Sequence, residues 1–211
     1  MELAIIVKRL IAALQVIGVV LCSQQAFASL APIKQIEGTV EGILSVMNDE
    51  ALGLPENKAE RRTKIMSLID SRFDYKEMSR ISLGKYWREL DGQEMEEFTD
   101  VFSQLLKQTY IGRIEAYSDE KVEYSKEIFG KKKKNRAMVF TNILKNGKAI
   151  PINYKMVARN DQWLVYDVVI EGVSLVRNYR TEFSRIIVKE KFSGLVKRIR
   201  AKIEKDETEE K

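Results

Sequence analysis

The apolar residues of this chain recur at a helical period before residue 121 and after residue 172. One apolar face predicts the first helix, and it consists of Ile33, Ile36, Val40, Ile43, Leu44 and Met47. A second helix is predicted after Pro55. Two acidic pairs, Asp74 with Glu77 and Asp91 with Glu94, have the form of capping boxes, so each predicts the start of a further helix.

Between residues 121 and 170 the apolar period shortens to two, which predicts four strands. These strands cover residues 122–125, 137–144, 150–157 and 163–170. Asn146-Gly147 tolerates the positive φ angles of a type I′ turn and predicts a tight hairpin. Helical spacing resumes at Val173, and a last helix is predicted from Ser193. The order predicts an α+β fold, in which helices wrap a four-stranded antiparallel sheet.

Both faces of the predicted strands are largely apolar, although a sheet with one solvated face should alternate with polar residues. Helices that cover both faces with a filled core would explain this pattern. An apolar cavity enclosed between helices and sheet would explain it equally well. The period of the sequence does not separate these two alternatives.

The amino terminus has the parts of a secretory signal in their usual order. Lys8 and Arg9 precede an apolar run over residues 10–22, and a small-x-small cleavage site follows at residues 26–28. The run is shorter than the ~20 residues of a spanning helix. We therefore predict a cleavable signal peptide over residues 1–28 and a protein released into the periplasm, with an uncleaved anchor as the alternative.

The rest of the chain predicts one domain over residues 29–204, followed by an almost wholly charged segment, 205–211, that we expect to be disordered. Histidine is absent, and Cys22, the one cysteine, lies in the predicted signal. The usual general base and zinc ligands are therefore missing, and we predict neither an enzyme nor a metal or cofactor site. The net charge of +5 favours anionic lipid or acidic partners, and export disfavours nucleic acid.

Two charged groups leave alternatives open. Asp167, with Tyr166 and Glu171, could act as a general base, although such an aspartate more often accepts structural hydrogen bonds. Lys131–Lys134 predicts either a solvated turn or a docking patch for an anionic membrane or a partner.

Four blocks of the sequence resemble one family over most of the predicted domain. They are residues 73–88 (FDYKEMSRISLGKYWR), 98–110 (FTDVFSQLLKQTY), 150–154 (IPINY) and 163–183 (WLVYDVVIEGVSLVRNYRTEF). The family is that of MlaC, the periplasmic phospholipid carriers also known as toluene-tolerance proteins. The resemblance implies an NTF2-like sheet around a pocket that takes the acyl tails of a phospholipid.

The resemblance also implies partners at both membranes. They are an inner-membrane ABC transporter with its MCE component and an outer-membrane complex of lipoprotein and porin, and the shuttle between them would maintain outer-membrane lipid asymmetry. Matched onto this chain, the implied pocket walls are Leu105, Tyr110, Val139, Ile152, Tyr154, Val165, Val168, Ile170 and Val173. An NTF2-like enzyme with Asp167 as base and a structural envelope adaptor with a filled core remain the alternative functions.

Overall fold

The computed structural model describes residues 31–116 and 121–209, so the predicted signal peptide lies outside the described residues. The helices are α1 Pro32–Met47, α2 Glu50–Gly53, α3 Lys58–Asp70, α4 Tyr75–Leu83, α5 Gly92–Glu115 and α6 Leu175–Glu209, with 3-10 turns at Pro55–Asn57 and Tyr86–Glu89. The strands are β1 Lys121–Phe129, β2 Arg136–Lys145, β3 Lys148–Arg159, β4 Gln162–Ile170 and β5 Val173–Ser174. The predicted α+β fold is confirmed.

One antiparallel sheet has the strand order β1-β2-β3-β4-β5, so the prediction of four strands is corrected to five. Glu171 and Gly172 both have positive φ angles, 49° and 84°. They turn the chain back, and Val173 pairs with Ile170 instead of starting the helix that its spacing predicted. The helical period after residue 172 therefore begins only at Leu175.

The two predicted capping boxes differ in the structure. Around Asp91 both reciprocal hydrogen bonds with Glu94 form. The Asp74 side chain accepts the backbone N–H of Glu77, but the Glu77 carboxylate turns to Arg80 and Arg136 instead of reaching back. The start of α4 is therefore tied to the sheet, because Arg136 opens β2.

The last helix is interrupted at Lys191, where φ is 63°, two residues before the start predicted at Ser193. Beyond this break the helix continues to Glu209 and includes residues 205–209 of the segment expected to be disordered. In the parts of the chain that the structure describes, no helix has the length and apolar character needed to cross a bilayer.

The helices α4, α5 and α6 pack into a core rich in aromatic rings, which we call the aromatic cluster: Phe98, Phe102, Tyr179 and Phe183. The Phe102 ring lies 5.2 Å from Tyr179 and 5.4 Å from Phe183, both edge-on. Edge-to-face contacts at these distances are favourable beyond the area that they bury. All four rings are buried, so this part of the molecule is filled.

Helix α1 covers one face of the sheet, where Ile36 packs against Val139 and Val165. Its first half is fixed at two points: the Ile33 N–H donates to the Glu127 carboxylate at 2.8 Å, and the Arg72 guanidinium donates to the Thr39 hydroxyl at 3.0 Å. Arg72 also donates to the carbonyl of Trp163 at 3.0 Å, which joins this half of α1 to β4. The second half of α1 extends over the opposite end of the sheet, where β2 ends and β3 begins.

Candidate functional site

A cavity of about 540 Å³ lies between the second half of α1, the last turns of α5 and the covered face of the sheet. This volume falls within the roughly 300–1,000 Å³ of small-molecule sites. The lining comprises eleven apolar residues, two tyrosines and two cations. They are Val40, Ile43, Leu44, Met47, Tyr110, Arg113, Ile114, Ala116, Val122, Ile143, Lys145, Ile150, Ile152, Tyr154 and Ile170.

The register of the sheet places the strand residues of the lining on one face. Ile143 pairs with Ile150, and Ile152 pairs with Ile170. Because side chains alternate across a strand, these β-branched residues and Tyr154 all project toward α1 and α5. They are only half-buried although they lie inside the fold, since they face an open space and not other side chains.

Helix α1 contributes residues at the spacing of one helical face, namely Val40, Ile43, Leu44 and Met47. Gly42 lies beside them, and a Cβ at this position would stand 3.4 Å from the Leu68 methyl groups of α3. This face of α1 thus packs against α3 at ordinary contact distance, while the apolar face remains turned to the cavity.

The end of α5 is positioned by a cluster of ions. Glu115 accepts from the Arg62 guanidinium at 2.7 Å, and both groups are largely buried. Arg61, also beside Glu115, donates to the carbonyl of Leu52. These contacts attach α3 and α2 to the last turn of α5, and they fix the distance between that turn and α1.

The polar groups of the lining are two phenols and two cations. Burial raises the pKa of Tyr154 to about 12, and burial likewise raises the pKa of Tyr110, so both phenols are neutral at physiological pH. The Arg113 guanidinium lies 5.5 Å from the centre of the Tyr110 ring. Arg113 and Lys145 are exposed, so positive charge lies where the cavity meets water.

None of the described lining residues is an aspartate, a glutamate, a serine, a threonine, a cysteine or a histidine. The shape and the largely aliphatic walls suit a ligand with a long apolar part. An elongated apolar ligand would lose its contact with water against the aliphatic walls. An anionic group on such a ligand would be favoured at the end that carries Arg113 and Lys145.

The structure brings four of the nine predicted site residues to the cavity: Tyr110, Ile152, Tyr154 and Ile170. Three more, Val139, Val165 and Val168, are buried in the adjoining core under the first half of α1. Leu105 lies in the core around the aromatic cluster. Val173, in β5, is 62% exposed and does not line the cavity. The role of the nine residues as lipid contacts stays a prediction.

Sequence reasoning missed the contribution of α1 and of the end of α5. The signal was present, because Val40, Ile43, Leu44 and Met47 form an apolar face. That face predicts a helix, but the spacing does not show whether the helix packs in a core or lines a site. At the end of α5, Ile114 lines the cavity next to the charged Arg113.

Asp167 lies on the opposite face of the sheet from the cavity. It pairs with Lys155 at 2.8 Å and accepts from the Ser174 hydroxyl at 2.7 Å and the Val176 N–H at 3.2 Å. The carboxylate is almost completely buried and fixes the start of α6 against the sheet. Tyr166, its predicted assistant, lies 4.3 Å beneath the Arg136 guanidinium.

Comparison with solved structures finds the same fold in the phospholipid-binding protein from Ralstonia solanacearum, which was solved in complex with a phospholipid. The TM-score is 0.71 with 22% sequence identity, over 82% of this chain and 97% of the other. At 22% sequence identity, this similarity shows that the two proteins share a fold.

Among curated proteins, the intermembrane phospholipid transport system binding protein MlaC of Haemophilus influenzae is 26% identical over 120 residues. The match spans 54% of this chain and 55% of that relative, so about half of each is compared. The family described as MlaC protein matches residues 37–201, which include every residue that lines the cavity. This chain belongs to the MlaC family.

Proposed function

We propose that this protein is a periplasmic phospholipid carrier that holds acyl chains in the cavity between α1, α5 and the sheet. The observation that carries the proposal is the aliphatic lining with cations at its exposed end. Family membership and the phospholipid bound to the Ralstonia protein of the same fold support it.

The binding energy would come mainly from removing hydrocarbon from water. Each buried CH₂ group contributes ~0.8 kcal/mol, so one long acyl chain gains several kcal/mol even if it is only partly covered. The neutral phenols of Tyr110 and Tyr154 add no charge to oppose such a ligand. Arg113 and Lys145 would face the phosphate of the headgroup at the mouth.

The wider role is a shuttle between two membrane complexes, which would maintain the lipid asymmetry of the outer membrane. Its proposed partners are an inner-membrane ABC transporter with an MCE component and an outer-membrane complex of lipoprotein and porin. A carrier of this kind must be free in the periplasm, so the proposal includes cleavage near Ala28. Transfer then requires no covalent step on the lipid.

The proposal is tested by blocking the cavity. Val40→Trp places a large ring among the lining residues, and we expect the protein purified without detergent to carry several-fold less phospholipid than the wild type. Mass spectrometry of the extracted lipid, normalised to protein, measures the effect. Val188→Trp is the matched control, because Val188 is 71% exposed on α6, and its lipid content should equal that of the wild type.

A wild-type protein that carries no phospholipid and takes none from vesicles would refute the proposal. If Val40→Trp, still folded by circular dichroism, retained its full lipid content, the ligand would occupy another site.

The other two functions have less support. A general base at Asp167 would need a substrate on the face of the sheet opposite the cavity, where its carboxylate is already engaged by Lys155 and Ser174. An adaptor with a filled core would not need the cavity under α1. No specific observation favours either alternative.

A further inference from the structure

The turn between β1 and β2 combines features that the cavity does not explain. Four consecutive lysines, Lys131–Lys134, occupy it, and each side chain is exposed. Within the described part of the chain, none of the four ammonium groups forms an ion pair. The turn therefore presents four uncompensated positive charges within a few residues.

The backbone of the turn is held in place by its own hydrogen bonds. The Gly130 N–H donates to the Arg136 carbonyl at 2.8 Å, and the Arg136 N–H donates to the Lys133 carbonyl at 3.0 Å. A Cβ at Gly130 would lie 2.6 Å from that Lys133 carbonyl oxygen, so glycine is needed for the close approach. The lysines are thus displayed from an ordered hairpin end.

Two large apolar side chains lie at the base of the same turn. Ile128 is 51% exposed and Phe129 is 47% exposed, although both belong to β1. They project from opposite faces of the strand because side chains alternate. The Phe129 ring is supported from one side by Trp163, at 5.8 Å between ring centres, and its remaining surface faces water.

We propose that this hairpin end, residues 128–134, is a docking surface for an anionic lipid bilayer. Lysine ammonium groups attract anionic headgroups, while Ile128 and Phe129 would enter the boundary between headgroups and acyl chains. The type of cation decides between a bilayer and a protein partner, since protein interfaces are depleted in lysine and enriched in arginine. Arg136, the nearby arginine, is already engaged by Glu77 and by the Tyr166 ring.

The docking surface and the cavity lie at opposite ends of the sheet. β2 runs from Arg136 beside the lysines to Lys145 at the cavity, which corresponds to about 30 Å of extended chain. A molecule docked through the hairpin would hold its cavity mouth away from that bilayer. The proposal thus concerns retention at a membrane surface, goes beyond lipid carriage and does not rest on it.

Vesicle co-sedimentation tests the proposal with the full chain. We expect binding to vesicles that contain phosphatidylglycerol, little binding to phosphatidylcholine vesicles, and a steep loss of binding as salt rises. Reversing Lys131, Lys132, Lys133 and Lys134 to Glu should lower the partition coefficient at least a hundredfold, because each lysine near an anionic surface contributes about fivefold. Phe129→Ser should lower it several-fold.

Two controls make the result specific. Reversal of four scattered, exposed lysines, Lys58, Lys76, Lys189 and Lys197, changes the net charge equally and should leave most of the binding. Val188→Ser, which removes an exposed apolar side chain on α6, should bind as the wild type does.

The proposal is overturned if the folded wild type does not bind anionic vesicles at low salt. It is also overturned if the scattered reversal abolishes binding as fully as the hairpin reversal, since net charge alone would then suffice. Val40→Trp, which blocks the cavity, should still bind vesicles. Lipid content by mass spectrometry therefore tests carriage, and vesicle co-sedimentation tests docking, so a failure of one is distinguished from a failure of the other.

Discussion

The two halves of α5 belong to two different kinds of interior. Phe98 and Phe102, in its first half, are completely buried in the aromatic cluster. Tyr110 and Ile114, in its last turns, are half-buried and face the cavity. The same helix is therefore packed against rings at one end and borders an open space at the other.

The difference comes from the partners of each half. The first half meets aromatic residues of α6, whose rings interlock edge to face. The second half meets β-branched residues of the sheet and a separate helix, α1, across a gap that Glu115 and its arginines maintain. We infer that the filled half supplies most of the stability and that the hollow half, with fewer contacts to lose, is where a ligand is accommodated.

The largest loss of stability is expected when a buried ring is removed from the first half of α5. Phe102→Ala removes a ring that touches Phe98, Tyr179 and Phe183, and we expect a loss of about 3–5 kcal/mol in the free energy of unfolding. Urea unfolding followed by circular dichroism measures it. Phe140→Ala, at a half-buried position of β2, is the control and should cost less than half as much. A loss below about 1 kcal/mol for Phe102→Ala would show that the aromatic cluster does not dominate stability.

Acid should weaken the contact between α4 and the sheet, which Glu77 and Arg136 form. Hydrogen bonds from Arg80, opposed by burial and aided by Arg136, lower the pKa of Glu77 to about 2. A lowered pKa means that the stabilisation is complete above the ordinary value of 4.5 and is lost as the pH falls toward 2. The contribution is on the order of 3 kcal/mol.

Glu77→Gln checks this expectation. The variant should lose stability at neutral pH, and its free energy of unfolding should depend less on pH between 4.5 and 2 than that of the wild type. Equal slopes for the two proteins over this range would exclude Glu77 as the responsible group.

The smallest loss of stability is expected at the cavity wall. Ile43→Ala shortens a half-buried side chain that already faces a cavity, so the loss in lipid-free protein should be below about 1 kcal/mol. Ile65→Ala is the same substitution at a completely buried position of α3, and it should cost about 2–5 kcal/mol. Urea unfolding of the delipidated variants compares them, and similar losses would mean that the cavity walls are packed as tightly as the core.

Local chemistry made much of the fold predictable. Asn146 and Gly147 have φ angles of 50° and 73°, so the predicted tight hairpin between β2 and β3 is confirmed. The capping box at Asp91 starts α5 as expected. These features depend on residues within three positions of one another, and that is the range over which a sequence pattern is informative.

The cavity was not predictable in the same way. A period shows which face of an element is apolar, but the distance between two such faces depends on contacts far apart in sequence. Arg62 and Glu115 are 53 residues apart, and their pairing sets the position of the end of α5. Glu77 gives a second example, because a residue 59 positions away, Arg136, draws its carboxylate out of the predicted capping box.

The break at Lys191 has a consequence for how much of the chain can be removed. Its backbone angles, φ 63° and ψ −178°, are costly for a residue with a side chain, by roughly 1–3 kcal/mol. The strain is tolerated because Leu195, Ile199 and Ile203, beyond the break, pack into the same core as the aromatic cluster. The residues after the break therefore contribute to the core, although they end in a charged stretch. A chain terminated at Lys191 would lose the Phe192 ring, which lies 6.0 Å from the ring of Phe98, and would expose that side of the aromatic cluster to water.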